Sequence, residues 1–172
     1  MDLSGKSALI TGSTSGIGYA IAEGLASKGV NIFLHSITDN KTDHQLAAKL
    51  SKKFSIKTNY LQANLSSSSA ARDLVRRTKH IDILINNAGL QHVSPIEKLE
   101  TTTWDTMIAV MLSAVFHTTA IALPMMKKSG WGRILNISSA HGLVASSQKS
   151  AYVSAKHGVI GFTKVTALET AE

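Results

Sequence analysis

Cysteine is absent from the sequence, which excludes a disulfide framework and any metal site built on thiolates. We predict no metal site. Internal repeats, low-complexity segments and interdomain linkers are absent as well, so residues 1–172 are predicted to form a single domain. The segment after Met1 lacks a basic region followed by an apolar one, so we expect no secretory signal and a cytoplasmic location.

Aromatic residues are scarce, at 5% of the chain, and this scarcity bears on the meaning of the positive charge. The formal net charge is +7, and a basic cluster contains Arg72, Arg76, Arg77 and Lys79. Surfaces that bind single-stranded nucleic acid combine such clusters with aromatic side chains that stack on bases, and no aromatic residues interleave here. We therefore predict a solvated helix end and no nucleic-acid partner. A mild positive field would still attract an anionic substrate.

Five short apolar runs of strand length occur along the chain, and each is followed by a helical stretch. They lie near residues 6–11, 30–36, 56–62, 81–86 and 132–138. Strands that alternate with helices form right-handed crossovers and a parallel sheet covered on both faces. The sequence thus predicts an α/β fold with a doubly wound parallel sheet. The run from Ser66 to Ser69 is predicted to cap a helix rather than to form a linker.

A mostly apolar segment runs from Met107 to Met126. Its length would suit a transmembrane helix, but a helix buried in a protein core or in a dimer interface is also apolar nearly all round. The segment lies between two predicted strands, which favours the buried helix. We therefore predict no membrane span.

The N-terminal segment has the pattern of a dinucleotide-binding unit. The first predicted strand leads into Gly12-Ser13-Thr14-Ser15-Gly16-Ile17-Gly18, and an amphipathic stretch follows from Tyr19 to Lys28. In a unit of strand, glycine turn and helix, the backbone N–H groups and the dipole of the helix N-terminus attract a pyrophosphate. We assign the tight turn to Gly12, the close approach to the pyrophosphate to Gly16, and the packing of helix on sheet to Gly18.

Tyr152 and Lys156 are four residues apart and would share one face of a helix. A lone tyrosine is a poor base because a phenol ionises only near pH 10, to within about a unit. A nearby ammonium favours the phenolate, as a general acid/base requires. Ser139, from another element, could hydrogen-bond the oxygen on which charge develops. These residues predict an apparatus that moves a proton on and off a substrate oxygen.

Together these motifs resemble the short-chain dehydrogenase/reductase family. The matching residues are Thr11-Gly12-x-x-x-Gly16-x-Gly18, Asn86-Asn87-Ala88-Gly89, Ser139 and Tyr152-x-x-x-Lys156, in the order of the family. The resemblance implies a Rossmann-type sheet, a nicotinamide cofactor, and a homo-oligomer, dimeric or tetrameric, with the apolar helix at an interface. Segments 89–93 and 138–144 are further similar to bacterial D-3-hydroxybutyrate dehydrogenases, which implies NAD and a small hydroxy or keto acid substrate.

The resemblance also implies roles for individual residues. Tyr152 would be the general acid/base, Lys156 would assist it and bind the nicotinamide ribose, and Ser139 would orient the substrate. The implied substrate-binding residues are Gln91, Ser139, His141, Lys149 and Tyr152, with Gln91, His141 and Lys149 at the carboxylate. The implied cofactor-binding residues are Thr11, Gly12, Ser15, Gly16, Ile17, Gly18, Asn64, Leu65, Asn87, Ala88, Gly89, Tyr152 and Lys156.

Two substitutions depart from the family pattern. Met111 stands where the family usually has an asparagine that holds a water in the proton relay, and a thioether cannot replace an amide. Asn64 stands where an aspartate commonly lies beside the adenine. The second strand ends at Ser36 without the acid that would mark NAD or the arginine that would mark NADP, and Asp39 falls in a predicted loop. The NAD assignment therefore rests on the resemblance alone.

The extent of the chain is a third departure. Family members continue beyond the helix that carries Tyr152 with another strand, a Pro-Gly turn, a substrate lid and a last strand. We therefore expect an incomplete dehydrogenase domain in which the strand at 132–138 lies at an open sheet edge. Two alternatives stay open: a noncatalytic nucleotide-binding product or partner of a full-length subunit, and a dehydrogenase for another hydroxy acid or a 3-oxoacyl substrate.

Overall fold

The computed structural model of the chain describes residues 2–171, in which strands and helices alternate as predicted. The strands are β1 (Ser7–Ile10), β2 (Asn31–Ser36), β3 (Thr58–Gln62), β4 (Ile83–Asn86) and β5 (Arg133–Asn136). The helices are α1 (Gly16–Ala26), α2 (Lys41–Phe54), α3 (Ser68–Arg77), α4 (Thr101–Ile108), α5 (Ala114–Ser129) and α6 (Ser150–Glu169). Short 3-10 turns cover Ile96–Lys98 and Ala140–Gly142. The predicted α/β fold is confirmed.

All strand pairs are parallel, and the order across the sheet is β3-β2-β1-β4-β5. The chain builds outward from β1 through β2 to β3, and then returns to place β4 on the other side of β1. Such a reversal opens a crevice at the carboxyl ends of the two central strands, where ligands of doubly wound sheets bind. The loops after β1 and β4 therefore border the crevice in which a ligand is expected.

Alternate residues of β1 enter two apolar clusters on opposite faces of the sheet. Ala8 and Ile10 pack with residues of α1 and α2, whereas Leu9 packs with residues of α3 and α5. Because β1 is buried on both faces, its residues Ala8, Leu9 and Ile10 are all apolar instead of alternating with polar residues.

One continuous helix comprises α4, a π turn at Ala109–Ser113, and α5. This helix, Thr101–Ser129, is long and apolar enough to cross a membrane by length and composition. Its α5 part nevertheless lies against the sheet, where Ala122 and Met126 are buried, and Met107 of α4 is buried against α6. It is therefore placed as the core helix of a layered α/β fold, which agrees with the sequence prediction for 107–126.

Two local predictions concern α3 and β5. Ser67 accepts a hydrogen bond from the N–H of Ala70 at 3.3 Å and is the N-cap of α3, so the predicted cap within Ser66 to Ser69 is confirmed. β5 forms one edge of the sheet, as predicted, and Leu135 is 50% exposed there.

Asp82 joins the starts of β1 and β4 at the end of the sheet opposite the crevice. Its carboxylate accepts a 2.8 Å hydrogen bond from the N–H of Ser7 and a 3.2 Å hydrogen bond from the ammonium of Lys6. Burial raises the pKa of Asp82, but these donors and the neighbouring charges outweigh burial, so the net pKa lies below its ordinary value. The ionised carboxylate therefore stabilises the fold.

Candidate active site

A cleft of about 600 Å³ opens at the carboxyl ends of the strands. Its lining comes from the loops after β1, β2, β3, β4 and β5, and from the first turns of α6. The lining residues that sequence analysis had proposed are Gly12, Ser15, Ile17, Asn64, Leu65, Asn87, Ala88, Gly89, Gln91, Tyr152 and Lys156. The sheet thus brings the glycine loop and the Tyr152–Lys156 pair, which are far apart in sequence, to one cleft.

The glycine loop is packed as tightly as its sequence predicts. Gly12 has φ +61°, and a Cβ there would lie 2.9 Å from the Cα of Ala88. A Cβ on Gly18 would lie 2.2 Å from the carbonyl oxygen of Gly12 and 2.5 Å from the side-chain nitrogen of Asn87. Larger residues at these two positions would push the loop away from β4.

Gly16 differs from these two glycines because it faces open space. It has φ +53°, and apart from its chain neighbours and the backbone of its own helix, no atom of the described residues lies within 4 Å of a Cβ built there. The α1 helix begins at Gly16, and its N-cap Ser15 makes no side-chain cap hydrogen bond within residues 2–171. The first N–H groups of α1 have no intrahelical partners and face an open approach, so the loop fits the pyrophosphate of a dinucleotide.

Thr11 and Asn87 hold the loop after β4 against the glycine loop. The hydroxyl of Thr11, which is buried outside the cleft lining, accepts hydrogen bonds from the N–H groups of Asn87 and Ala88 at 2.9 and 3.0 Å. The side-chain amide of Asn87 donates to the carbonyl oxygens of Thr11 and Gly12, both at 2.9 Å. Asn87 is therefore positioned through the glycine loop, which explains why the two motifs occur together.

His35, at the end of β2, lines the same cleft and was not among the predicted site residues. Its ring nitrogens lie 3.0 Å from the amide nitrogen of Gly12 and 3.1 Å from the carbonyl oxygen of Ala63. Its pKa is lowered to about 4, mainly by burial and to a lesser extent by the charge of Arg77, while the Ala63 contact acts in the opposite direction. In the sequence, His35 stands out as a polar residue within the mostly apolar run at 30–36, which is the signal that could have marked it.

The far end of the cleft, beyond the glycine loop, is lined by Ser36, Ile37 and Asn64. The side-chain oxygen of Asn64 accepts hydrogen bonds from the N–H and the hydroxyl of Ser66 at 3.0 and 2.8 Å. This oxygen is thus already engaged by Ser66. Asp39 lies in the loop after β2, as predicted, where its carboxylate is 2.7 Å from the imidazole of His44.

Tyr152 and Lys156 lie on the first two turns of α6, as the four-residue spacing predicts. The ammonium of Lys156 is 5.7 Å from the centre of the Tyr152 ring and donates a 2.7 Å hydrogen bond to the carbonyl of Ile137. Lys156 is 5% exposed, and this burial lowers its pKa. The lysine is therefore fixed between the end of β5 and the tyrosine.

Ser139, His141 and Lys149 lie outside the cleft lining defined by the described residues, and His141 is the one of the three whose ring contacts Tyr152. The Ser139 hydroxyl oxygen accepts a 3.2 Å hydrogen bond from the N–H of His141. The His141 ring meets the Tyr152 ring edge-on, with centroids 5.9 Å apart, and its Nε2 is 2.9 Å from the Ser146 hydroxyl. Lys149 is the residue that precedes α6.

Gln91 belongs to the loop after β4, which is attached to the loop before α6. The N–H of Ser94 donates a 2.9 Å hydrogen bond to the carbonyl of Gln148, the neighbour of Lys149. Gln91 itself is exposed and lines the cleft. This hydrogen bond joins the loop that carries Gln91 to the loop that carries Lys149.

The chain is similar to proteins of a known family. The model of the short chain dehydrogenase family matches residues 6–172. The D-beta-hydroxybutyrate dehydrogenase of Cupriavidus necator is 50% identical over 174 aligned residues, which cover 99% of this chain and 67% of that protein.

The chain belongs to the short-chain dehydrogenase family.

This family of oxidoreductases includes further relatives of the chain. The D-beta-hydroxybutyrate dehydrogenase of Rhizobium meliloti is 48% identical, with 97% of this chain and 66% of that protein covered. A crystal structure named as a short-chain alcohol dehydrogenase from Sinorhizobium meliloti is 29% identical, with a TM-score of 0.93 over 99% of this chain and 68% of the other. The chain spans about two thirds of the length of the curated relatives it matches.

Met111, the departure from the family pattern noted in the sequence, lies in the π turn behind the loop after β4. It is 1% exposed and packs with Met107, Ala151 and Ala155. Its sulfur lies 3.7 Å from the position of a Cβ on Gly89. The residue thus fills apolar space between the cleft wall and the helix that carries Tyr152.

Proposed function

We propose that this chain belongs to an NAD-dependent dehydrogenase that interconverts D-3-hydroxybutyrate and acetoacetate. The observation that carries the proposal is the convergence of the glycine loop and the Tyr152–Lys156 pair on one cleft. The two D-beta-hydroxybutyrate dehydrogenases that are 50% and 48% identical support this substrate. Because the chain spans about two thirds of their length, the activity of the whole protein is part of the proposal.

The glycine loop and the start of α1 would hold the pyrophosphate, and Lys156 would bind the nicotinamide ribose. When bound, the cofactor would accept a hydride from the substrate carbon, or return it in the reverse direction. NAD is favoured over NADP because, in the described part of the chain, Lys156 is the one lysine or arginine that lines the cleft. It lies at the end of the cleft near Tyr152. A 2′-phosphate near Ser36 would lack a cationic partner.

Tyr152 would take the hydroxyl proton of the substrate during oxidation and return it during reduction. The ammonium of Lys156, held by the carbonyl of Ile137, places a positive charge 5.7 Å from the centre of the Tyr152 ring. The hydroxyl of Ser139 already accepts a hydrogen bond from the N–H of His141, so its own proton is free to be donated to the substrate oxygen. This arrangement supports a general acid/base mechanism.

Gln91, His141 and Lys149 would bind the substrate carboxylate. Lys149 supplies a positive charge beside the N-terminus of α6, where the helix dipole also favours an anion. Gln91 and His141 would add polar contacts from the loops after β4 and β5. The proposed substrate is therefore a small hydroxy or keto acid, with its hydroxyl at Tyr152 and its carboxylate towards Lys149.

We also propose that the protein is cytoplasmic and forms a homo-oligomer, and that residues 1–172 form one domain. The oligomer is supported by exposed apolar side chains on α5 and α6: Phe116 is 46% exposed, Val165 53% and Leu168 80%. Phe116 and Phe162 meet edge-on with ring centroids 6.3 Å apart, which joins the two helices into one apolar surface. Light scattering of the purified protein would measure the subunit number.

NADH formation tests the proposed function. The purified chain is offered each enantiomer of 3-hydroxybutyrate with NAD, and then with NADP. We expect turnover of the D enantiomer with NAD, and a loss of about 100-fold or more in Tyr152→Phe with NAD binding retained. Preference for the L enantiomer, or equal turnover by Tyr152→Phe, would overturn the proposal.

Two alternative functions have specific support. Met111 lacks the side-chain amide that the family usually has at this position of the proton relay. This favours a noncatalytic dinucleotide-binding chain or a partner of a longer subunit. NAD binding without turnover, together with co-purification of a longer homologue, would support this alternative. A 3-oxoacyl-[acyl-carrier-protein] reductase of Aquifex aeolicus is 36% identical, so a 3-oxoacyl substrate is the second alternative. Turnover of a 3-oxoacyl thioester in preference to acetoacetate would support it.

A further inference from the structure

The imidazole of His35 lies between the glycine loop and the end of β3, and its two hydrogen bonds determine its tautomer. The N–H of Gly12, 3.0 Å from Nδ1, can only donate, and the carbonyl of Ala63, 3.1 Å from Nε2, can only accept. The ring must therefore accept at Nδ1 and donate at Nε2. His35 is 2% exposed, so water does not compete for these positions.

The backbone of His35 holds the next residue of the loop as well. Its N–H donates to the hydroxyl of Ser13, and its carbonyl accepts from the N–H of Ser13, both at 2.9 Å. On the other side, the carbonyl of Gly12 accepts from the side chain of Asn87. The peptide groups of Gly12 are thus held from β2 and from the loop after β4, and they set the direction in which the following N–H groups point.

Protonation of the ring would break this arrangement. An imidazolium carries N–H on both nitrogens, so Nδ1–H would face the N–H of Gly12, donor against donor. The charged group that acts on the ring is Arg77 of α3, which has the same sign as an imidazolium. The segments that hydrogen-bond the ring through Gly12 and Ala63, residues 11–15 and 63–65, carry no titratable side chain. The neutral ring is therefore the form that fits its surroundings.

We propose that His35 is a positioning residue for dinucleotide binding, which holds the glycine loop through its neutral Nε2–H tautomer and releases the loop when the ring is protonated. The inference rests on the proposed function of the cleft. His35 contacts the loop, and acts on the cofactor through Gly12. Its role is thus separate from that of Tyr152 and Lys156.

The first test examines the free chain by NMR. The ¹⁵N shifts of the His35 ring at pH 7 should show the neutral Nε2–H tautomer, with protonation only near pH 4. In His35→Leu the Gly12 amide should exchange with solvent about tenfold faster or more, while the β1 amides of Leu9 and Ile10 keep their protection. His35→Asn, whose side-chain oxygen can still accept from Gly12, should keep most of the protection.

The second test measures NAD affinity by calorimetry. At pH 7 we expect the Kd of His35→Leu to rise about tenfold or more, and that of His35→Asn to rise by less. As the pH falls through the pKa of His35, the Kd of the wild type should rise and that of His35→Asn should not. His44→Asn, at an exposed histidine of α2, is the control for histidine removal.

An Nδ1–H ring in the wild type, or an unchanged Gly12 exchange rate in His35→Leu, would overturn the inference. So would faster exchange throughout β1, because that result indicates general destabilisation. Equal NAD affinity of wild type and His35→Leu would overturn the link to the cofactor. If the wild type binds no NAD while the NMR results are as expected, the proposed function fails, and the contact between His35 and the loop is supported.

Discussion

Asn86 and Asn136 lie opposite each other on β4 and β5, and the side chain of Asn86 donates a 2.8 Å hydrogen bond to the side-chain oxygen of Asn136. The hydroxyl of Thr118 on α5 donates to Asn86 at 2.8 Å, and Asn136 donates to the hydroxyl of Thr163 on α6 at 2.9 Å. These contacts connect α5 to α6 through the sheet. They fix the helix that carries Tyr152 to the strands that border the cleft.

Replacement of Asn86 by alanine tests this connection. The substitution leaves the side-chain oxygen of Asn136 without its donor and opens space beside Thr118, so we expect the free energy of unfolding to fall by about 1–3 kcal/mol. Urea unfolding measures the change. Asn59→Ala, at an exposed position of β3, is the matched control. The connection is unimportant if both variants lose the same stability.

Gly18→Ala should weaken dinucleotide binding. The new methyl group would lie 2.2 Å from the carbonyl oxygen of Gly12, so the glycine loop must move. We expect the Kd for NAD to rise about tenfold or more. Gly24→Ala is the control on the same helix, where the described chain leaves the Cβ position open, and it should raise stability by about 1 kcal/mol. Similar NAD affinities of the two variants would contradict the prediction.

Because the pKa of Asp82 is lowered in the folded chain, we expect the free energy of unfolding to fall in acid. Its pKa is below the unfolded value of about 3.9, so its contribution is present above that pH and is lost as the pH falls through the folded pKa. We expect Asp82→Asn to cost about 1–2 kcal/mol at pH 7 and progressively less below pH 4. Urea unfolding of both proteins across this range measures the difference. A difference that stays constant down to pH 2 would show that the charge of Asp82 is irrelevant.

His35 predicts a second pH dependence, at higher pH. Its pKa is about 4 in the folded chain and about 6.5 in the unfolded chain, so between these values the unfolded chain binds more protons. Stability should therefore fall as the pH decreases from about 6.5 to about 4, by an amount on the order of 3 kcal/mol. His35→Asn should lose this component. Parallel stability curves for wild type and variant over this range would exclude it.

Lys149→Ala should impair binding of the carboxylate substrate and leave cofactor binding intact. We expect the KM for D-3-hydroxybutyrate to rise about tenfold, because an ion pair with the substrate is lost, while the Kd for NAD is unchanged. Gln91→Ala and His141→Ala should act in the same direction. Lys164→Ala, at an exposed position further along α6, controls for the loss of a positive charge. An unchanged KM would show that the carboxylate binds elsewhere.

The sequence predicted most of the fold because strands and caps are determined locally. Each predicted strand is found within two residues of its expected ends, and Ser67 caps α3 within the predicted segment. The glycine loop and the Tyr152–Lys156 spacing also have local causes, namely turn geometry and helical periodicity. Their convergence on one cleft follows from the parallel sheet, since the glycine loop follows β1, the pair follows β5, and both strands end at the same edge.

The sequence did not predict contacts that depend on packing between distant elements. The bond between His35 and Gly12 requires the register of β1 and β2, and that between Asn86 and Asn136 requires the register of β4 and β5. The occupied side-chain oxygen of Asn64 was missed for a different reason, because a local turn to Ser66 competes with any ligand. The roles assigned to Ser139, His141 and Lys149 stay predictions.

The π turn at Ala109–Ser113 allows the two halves of one helix to pack against different neighbours. The residues before it contact α6, whereas those after it contact α3 and β4. One extra residue in a helix rotates everything that follows by about 100° about its axis. This rotation lets Met111 pack towards α6 while Thr118 still reaches Asn86 on β4. We therefore expect this helix to tolerate substitutions better than changes of length. A single inserted or deleted residue would expose one of its two apolar faces to water.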